Sequence, residues 1–414
     1  MAPVSRCCLC AATGLAPMFS LEGLAISHHL RKTSADPDPR FTVRFAHCPA
    51  CGLLQITEAI PPELIYGDSD TYTTGFQRPR HLEDLIATAI ARRDPGSVID
   101  IGCNDGSLMD ALQRAGYRLV VGLEPNPSAA RVAREKGHSV HAGYLTAASA
   151  AAIVAEHGRF DAVYLRHVVE HISDLEGFFA AIRALLRMDG LLVLELPAME
   201  EAMALGSPAI LWEEHISYFT RPLAEYMLAR FGFAITDRRH YAFGGGSLAF
   251  VARMSARPLP DAVEPPDPAA AWVLLQDFVV GMERQRTEMG ALLSEARSNS
   301  YRVLIYGVAP RSCLVVAACR IGGLLDFAVD DRHDLHHRLM PGTPNRISAL
   351  TEVADQAGGK LLCLLGVGSE NEFKVRARVE AALGCQPVFV SLFPPRDTLA
   401  SIGEARRAIA AARE

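Results

Sequence analysis

Short apolar runs alternate with longer amphipathic stretches over most of this 414-residue chain. In the middle of the chain, the runs VIDIG, YRLVVGLE, FDAVYLR and GLLVLELP are typical of buried strands, and stretches with helical spacing separate them. The same rhythm restarts at Tyr301 with RVLIYG, LLDFAVDD, KLLCLLG and QPVFVSLF. This alternation predicts βαβ units and parallel sheets, so the expected fold class is α/β.

The pattern divides the chain into four parts. Residues 1–72 are loop-rich and carry five of the ten cysteines, which predicts a small cysteine-rich module. Residues 73–255 and 301–414 each predict an α/β domain with a Rossmann-like arrangement. Between them, the Pro-rich stretch RPLPDAVEPPDPAA marks a linker, and apolar residues at helical spacing predict one long helix within 256–300.

Charge and composition narrow the class of protein. The 41 basic and 47 acidic side chains give a net charge of −6, which argues against a nucleic-acid binder. No apolar run reaches about 18 residues, and the start MAPVSRCCLC lacks the apolar core of a signal peptide. We therefore expect a cytoplasmic protein that acts on a small molecule, with no membrane partner. The sequence leaves open whether it is a monomer or a homodimer.

Two Cys-x-x-Cys pairs, Cys7 with Cys10 and Cys48 with Cys51, are separated by 37 residues. In a reducing compartment, such pairs indicate metal or redox chemistry more than disulfides. Zinc prefers four soft or borderline ligands in a tetrahedron, and two pairs supply a closed Cys₄ set. Because a closed set has no open position for water, we expect a structural zinc ion. Cys8 is an alternative ligand to Cys7.

A glycine-containing loop follows the first strand of the 73–255 domain, with the sequence Asp100-Ile-Gly102-Cys-Asn104-Asp-Gly106. Its glycines allow a sharp turn and a close backbone approach to a ligand. Glu124 ends the next strand, where a carboxylate can accept both hydroxyls of a ribose. The order strand, loop, helix, strand, acid indicates a nucleoside-type ligand, either NAD or S-adenosylmethionine. The dinucleotide fingerprint G-x-G-x-x-G is absent.

The strand in FDAVYLRHVVEHI has the pattern of the fourth sheet strand in class I methyltransferases. The loop before it, residues 143–146, is expected near the adenine of the cofactor. Leu145 in that loop and His167 after the strand therefore join the predicted cofactor-binding residues, which are Asp100, Gly102, Asn104, Gly106, Glu124, Leu145 and His167.

The segment His167-Val-Val-Glu170-His171 also matches H-x-x-E-H, a zinc-protease motif that places two histidines on one helix. We reject that interpretation, because the motif follows a strand directly, at the carboxyl edge of a sheet. Ligand sites of α/β proteins lie at that edge, so His171 is expected to face the cofactor cleft.

A second chemical cluster stands in WEEHISYF, where acids, an imidazole and two aromatic residues precede a helical stretch. Glu214 could orient His215, leaving a basic imidazole beside the cofactor. That combination suits general-base catalysis near neutral pH. A structural ion pair between the two side chains is the alternative.

These features resemble the three-domain sugar C-methyltransferases that act on dTDP-linked ketosugars, and the resemblance covers essentially the whole chain. The two Cys pairs resemble that family's zinc domain, and DIGCNDG resembles its E/D-I-G-x-N-D-G loop. WEEHISYFT resembles its Y-H-E-H-L-S-Y-F-S segment. Near the C-terminus, YGVAPR resembles Y-G-A-x-A-K, and Asp330-Asp331 and Pro341-Gly342-Thr343 stand where the family has V-D-x-N-P and P-G-T.

The resemblance implies catalytic roles for Glu214 and His215, and it places His171 and Tyr66 in the active site. It also implies a set of substrate contacts, which are Trp212, Tyr218, Arg311 and Asp330. Trp212 stands where the family usually has Tyr, and Glu213 replaces a His. These departures leave room for a different sugar or a non-sugar ketone.

We therefore expect an enzyme with S-adenosylmethionine as cofactor and a structural zinc ion. The expected reaction is C-methylation next to the ketone of a nucleotide-linked ketosugar in specialised metabolism, with His215 as base. By resemblance, the C-terminal domain helps to hold the nucleotide. Two alternatives remain: O- or N-methylation of a non-sugar metabolite on the same scaffold, and a non-catalytic adaptor that binds zinc and a nucleotide.

Overall fold

The computed structural model of the chain describes residues 2–65, 79–255, 263–357, 359–384 and 386–412. The chain forms two compact units. Unit 1 comprises Met1–Met18, Phe45–Ala198 and Glu214–Trp272. Unit 2 comprises Phe19–Arg44, Met199–Glu213 and Val273–Glu414. The four-part division expected from the sequence stays a prediction.

The strands follow the apolar runs of the sequence. In chain order they are β1 Ala2–Pro3, β2 Ala16–Ala25, β3 Arg40–His47, β4 Leu54–Ile56, β5 Glu58–Ala59, β6 Ser97–Ile101, β7 Leu119–Glu124, β8 Ser139–Ala142, β9 Phe160–Arg166, β10 Leu186–Pro197, β11 Ser217–Tyr218, β12 Phe233–Tyr241, β13 Ser247–Met254, β14 Arg302–Tyr306, β15 Phe327–Val329, β16 Ile347–Ser348, β17 Leu361–Leu365 and β18 Val388–Ser391.

The helices lie between these strands. In chain order they are α1 Pro62–Ile65, α2 His81–Ile90, α3 Ser107–Arg114, α4 Pro127–Glu135, α5 Ala147–His157, α6 Leu175–Leu185, α7 Met199–Ala204, α8 Arg221–Arg230, α9 Pro268–Ser298, α10 Pro310–Ala318, α11 Leu350–Ala357, α12 Glu372–Leu383 and α13 Thr398–Ala411. In the parts of the chain that the structure describes, no helix is long and apolar enough to cross a membrane.

The main sheet of unit 1 has the strand order β12-β13-β10-β9-β6-β7-β8. The five strands from β10 to β8 run parallel, whereas β13 pairs antiparallel with both β10 and β12. All five residues of β6 are buried, as expected for a parallel strand covered on both faces. The chain order reverses between β6 and β9, so the carboxyl ends of these strands form the crevice where α/β sheets bind ligands.

Short strand pairings within unit 1 link the region that carries Cys48 and Cys51 to the segment that contains His215. β4 pairs antiparallel with β3, through Phe45 opposite Ile56, and with the short β11. In that second pairing, Ser217 lies opposite Gln55 and Tyr218 lies opposite Leu54. The segment that contains His215 is thus attached to the module that carries the four cysteines.

Unit 2 contains a sheet of order β16-β15-β14-β17-β18, in which every neighbouring pair is parallel. Its apolar core lies between the sheet and the surrounding helices, with Ile305, Leu364 and Val390 fully buried. The expected long helix is α9, whose residues Met289, Leu292 and Ala296 recur at helical spacing on the buried face. The α/β class predicted from the sequence is confirmed.

Candidate active site and zinc centre

The four predicted zinc ligands converge in unit 1. The Sγ atoms of Cys7, Cys10, Cys48 and Cys51 all lie within 4.8 Å of one another. Cys7 and Cys51 are 3.6 Å apart, and so are Cys10 and Cys48. Four sulfurs bound to one zinc at about 2.3 Å would lie roughly 3.8 Å apart, so the spacing fits a tetrahedral Cys₄ site.

The knuckles around the cluster explain why Cys7 is the ligand rather than Cys8. The Cys8 thiol is not part of the sulfur cluster, and its backbone N–H donates to Gln55 Oε1 at 2.9 Å. Burial raises the pKa of the Cys8 thiol to about 11.

The turn that carries Cys48 and Cys51 closes through a hydrogen bond from Gly52 N to Cys48 O, and Gly52 has φ of 84°. A Cβ at Gly52 would meet the Ala271 Cβ at 2.6 Å.

The glycine loop of the predicted cofactor site is held by Glu124. Its carboxylate accepts the backbone N–H of Asn104 and that of Asn126, both at 2.8 Å. Burial raises the pKa of Glu124 to about 6, although these two hydrogen bonds oppose the shift. Glu124 therefore ties the end of β7 to the loop after β6, at the edge where a ribose would bind.

The loop needs left-handed backbone at three positions: Gly102 has φ of 73°, Asn104 of 49° and Gly106 of 77°. A Cβ on Gly102 would come within 2.6 Å of the Val168 side chain. Asn is among the few side chains that adopt this region readily, so the sequence suits the turn. Asp100, at the end of β6, is buried, and this raises its pKa to about 7.

Leu145, the predicted adenine contact, lies half-buried in the connection between β8 and α5. Thr146 caps α5 in a capping box with Ser149, which fixes the far end of that connection.

His171, Glu214 and His215 meet at the carboxyl edge of the unit 1 sheet. The rings of His171 and His215 are 4.8 Å apart and nearly perpendicular. His171 Nδ1 donates to the backbone carbonyl of Glu214 at 3.2 Å, and the Glu214 carboxylate lies 3.9 Å from the same nitrogen. The Tyr218 ring, a predicted substrate contact, is 6.1 Å from the His215 ring. Glu214 thus contacts His171, and its charge also opposes the lowering of the pKa of His215 by burial, so the orienting role of Glu214 toward His215 stays a prediction.

His167 does not share a helix with His171. Val169–His171 forms a short 3₁₀ turn, and His167 precedes it with φ of 51°. This geometry removes the basis of the zinc-protease interpretation, which requires both histidines on one helical face.

A chain of buried charges with alternating sign leads to this pair of histidines. Glu195, at the end of β10, is completely buried and accepts hydrogen bonds from Arg166 Nε at 2.5 Å and Ser247 Oγ at 2.6 Å. Its Oε1 is also 2.8 Å from His81 Nε2 and 3.6 Å from His167 Nε2. The charge of Arg166, together with the interactions of His167 and His81, holds the pKa of Glu195 well below its usual range despite burial.

His167 and Glu170 continue this chain. Burial alone would lower the pKa of His167, but Glu170 and Glu195, each 3.6 Å away, outweigh burial and raise it to about 9. Glu170 is 1% exposed, and its pKa is lowered because His167, His171 and His215 offset the effect of burial. The sequence analysis gave Glu170 no role in the site. The signal that could have found it is its position one residue before His171.

The remaining predicted residues fall elsewhere. Trp212, Arg311 and Asp330 belong to unit 2. The Trp212 indole N–H donates to Ala209 O, and the Arg311 guanidinium lies 4.3 Å from the centre of the Phe393 ring. Burial lowers the pKa of Arg311 to about 10. Tyr66 lies outside the described residues.

Asp330 repeats in unit 2 the arrangement of Glu124 in unit 1. Its carboxylate accepts the backbone N–H of Val308, in the loop after β14, at 2.7 Å and that of Arg332 at 2.9 Å. Burial raises its pKa. In both sheets, an acid at the end of one strand thus fixes the loop that follows the neighbouring strand.

Comparison with known proteins identifies the class of protein to which the chain is similar. Three family models match the chain: a zinc binding domain over residues 7–66, a methyltransferase domain over 75–237 and a C-methyltransferase C-terminal domain over 269–366. C-methyltransferase NovU from Streptomyces niveus is 26% identical over 358 residues, covering 82% of this chain and 84% of the relative.

Other relatives match shorter parts of the chain. The ubiquinone biosynthesis O-methyltransferase of Rhizobium johnstonii is 30% identical over 204 residues, covering 41% of this chain and 79% of the relative. That of Methylobacterium sp. (strain 4-46) is 39% identical over 98 residues, and the chain spans 38% of its length. A solved methyltransferase from Mesorhizobium loti is 15% identical, with a TM-score of 0.33 over 42% of this chain and 97% of that one.

The fold and the Glu124 loop thus define a class I S-adenosylmethionine-dependent methyltransferase, and the chain belongs to that family. More narrowly, the chain matches family models of a zinc binding domain and of a C-methyltransferase C-terminal domain, and it is similar to a C-methyltransferase along most of its length. Its cofactors are S-adenosylmethionine and a zinc ion, which the Cys₄ cluster fits.

We predict that Cys48→Ser removes the zinc and lowers stability before it affects chemistry, because a structural site contributes folding free energy. A loss of about 3–5 kcal/mol would lower the melting temperature by roughly 10 °C in a chain of this kind. Elemental analysis and thermal unfolding provide the measurements. Cys8→Ser is the matched control and should keep one zinc per chain; loss of zinc in this control would contradict the assignment of Cys7.

We predict that Glu124→Ala weakens S-adenosylhomocysteine binding by at least about tenfold, since each hydrogen bond to a charged group contributes about 1.5–3 kcal/mol. Calorimetry measures the affinity. Glu124→Gln keeps one carbonyl oxygen that can accept a hydrogen bond from the loop, but it loses the negative charge. Comparing it with Glu124→Ala therefore distinguishes loss of the ribose contact from collapse of the loop. Unchanged affinity in both variants would show that the ribose binds elsewhere.

Proposed function

We propose that the enzyme methylates the carbon next to the ketone of a nucleotide-linked ketosugar of the dTDP type. Support comes from the resemblance of its motifs to that family and from the similarity to a C-methyltransferase along most of the chain. The observation that carries the proposal is the His171–His215 pair, which stands beside two buried carboxylates at the carboxyl edge of the sheet.

A carbon next to a ketone becomes nucleophilic only after it loses a proton, so the reaction needs a positioned base. His215 is buried, and burial together with the neighbouring His171 lowers its pKa to about 3. Its imidazole is therefore neutral near pH 7 and has a nitrogen that can take up a proton, but the lowered pKa also makes it a weaker base, so the reaction depends on charges that stabilise the imidazolium. The enolate carbon then forms the new C–C bond. S-adenosylmethionine supplies the methyl group, and its sulfur keeps the electron pair of the broken bond.

Glu170 and Glu214 both oppose the fall in the pKa of His215. Their negative charges stabilise the imidazolium that forms when His215 takes up the proton, and they do so where little water is present. We assign Glu170 as a positioning residue, because it acts through the histidines. The alternating charges of Arg166, Glu195 and His167 keep Glu170 ionised inside the unit.

His171 is the competing base. A carbonyl can only accept a hydrogen bond, so the contact with Glu214 O requires the proton of His171 to be on Nδ1. In the neutral ring, Nε2 then carries the lone pair. The enolate oxygen would be stabilised by donors, with Tyr66 as one candidate and His171 as another when its ring is protonated on both nitrogens.

O- or N-methylation of a non-sugar metabolite is the second candidate function, and two observations support it. Several relatives are named ubiquinone biosynthesis O-methyltransferases, and Trp212 replaces the Tyr that is usual in the sugar enzymes. Heteroatom methylation leaves the C–H bonds of the acceptor intact, so a deuterated acceptor separates the two reactions.

We predict that wild-type enzyme, given a dTDP-ketosugar in D₂O with S-adenosylhomocysteine in place of the donor, incorporates deuterium at the carbon that is methylated. His215→Asn is close in size and cannot act as a base, so exchange and methylation should fall by at least about 10²-fold. Cofactor affinity should change little. Mass spectrometry and NMR follow the exchange.

The same measurement on His171→Asn distinguishes the two histidines. If deuterium exchange persists in His215→Asn but is lost in His171→Asn, then His171 is the base and His215 is not. If neither variant slows methylation by about 10²-fold, the enolate mechanism is wrong as proposed here.

We predict that Glu170→Gln slows exchange by about tenfold, which corresponds to the loss of about one pKa unit of support for the His215 imidazolium. The pH–rate profile should shift, while affinity for S-adenosylhomocysteine stays unchanged. Glu176→Gln removes one carboxylate from the exposed first turn of α6 and is the charge-matched control. Equal rates for both variants would exclude a role for Glu170.

A further inference from the structure

Outside the site already described, unit 1 holds a second convergence of metal-ligating side chains. His141 lies on β8, and Glu156 and His157 form the end of α5. The two Nε2 atoms of the histidines are 3.0 Å apart. The Glu156 carboxylate lies 3.4 Å from the His157 nitrogen and 4.0 Å from the His141 nitrogen.

These distances suit a small transition-metal ion. Zinc binds imidazole nitrogen at about 2.0–2.1 Å and carboxylate oxygen at about 2.0–2.2 Å, so ligands at tetrahedral corners lie roughly 3.4 Å apart. The three observed separations range from 3.0 to 4.0 Å and therefore bracket that distance. The two rings are nearly perpendicular, with centres 5.2 Å apart. The histidines are partly buried and Glu156 is exposed, so a fourth position can be taken by water.

The cluster brings together the two ends of the segment that carries Leu145 and α5. His141 lies opposite Leu123 on β7, one residue before the register position of Glu124. The chain between His141 and His157 contains the connection with Leu145 and all of α5 before its last residue. A metal ion at the cluster would join the two ends of this segment.

We propose that His141, Glu156 and His157 form a second metal site, for a transition-metal ion such as Zn²⁺, that clamps the segment carrying the adenine loop. Ordering this segment before the cofactor arrives reduces the entropy that cofactor binding must overcome. Metal and cofactor therefore bind with positive coupling, and each strengthens the other by the same factor. The coupling rests on the predicted role of the 143–146 loop, whereas the metal site does not.

The test is calorimetric titration of Zn²⁺ into protein that already holds one zinc on its four cysteines. Wild type should bind one further equivalent, and His157→Gln and His141→Gln should each weaken this step by at least about tenfold, since even indirect partners of a metal contribute 10- to 100-fold. Thermal unfolding without added metal checks that the variants are folded.

His333→Gln is the matched control. His333 and His336 also form a nearly perpendicular pair, with ring centres 5.1 Å apart, but His336 Nε2 donates to Asp330 O at 2.8 Å. This control should keep the second equivalent. If wild type takes up no second zinc, the site is refuted. If all three variants bind the second zinc alike, it is an adventitious ion only, and the site is likewise refuted.

The coupling has its own measurement. With Zn²⁺ bound, affinity for S-adenosylhomocysteine should rise by at least about fivefold in wild type and stay unchanged in His157→Gln. A second zinc that leaves this affinity unaltered would refute the clamp but not the metal site. Neither result depends on the acceptor, so both are independent of the proposed sugar chemistry.

Discussion

The short strand β11 is the constraint on which the active-site arrangement depends. On one side it pairs with β4, beside the Cys48 knuckle, and Ile56 N donates to Ile216 O at 3.0 Å. On the other side, Ile216 N donates to Glu170 O at 2.8 Å. The segment is therefore held between the zinc module and the turn after β9. These two attachments bring His171 and His215 together, although 43 residues separate them in the sequence.

In unit 1, Glu195 and Glu170 are buried carboxylates whose negative charges are stabilised by neighbouring side chains. A lone buried carboxylate would be neutralised by protonation, because burial disfavours the charged form. Glu195 avoids this through Arg166, His81 and Ser247, and Glu170 does so through the neighbouring imidazoles. Burial raises the pKa of Asp100 to about 7, because it outweighs the nearby charge of Arg166.

The sequence predicted the α/β class, the long helix and the Cys₄ cluster well, because period and spacing are local signals. It also singled out Glu124, His171 and His215, which stand at strand ends or in a dense polar segment, and their roles stay predictions. It missed Glu170 and Glu195, since a buried acid inside an apolar run has no local signature until the fold supplies its partners. It did not predict the contact between Glu214 and His171, which only the tertiary structure brings close, and its pairing of Glu214 with His215 stays a prediction.

The division of the chain into interleaved segments limits how this protein can be made and modified. The path passes from one unit to the other at five points, after residues 18, 44, 198, 213 and 272. No single cut releases either unit as a continuous piece, and unit 1 lacks part of its sequence until Trp272 has been synthesised. Exchange of one unit between relatives would require three coordinated grafts. Any continuous fragment that contains all of unit 1 therefore also contains residues 19–44 and 199–213 of unit 2.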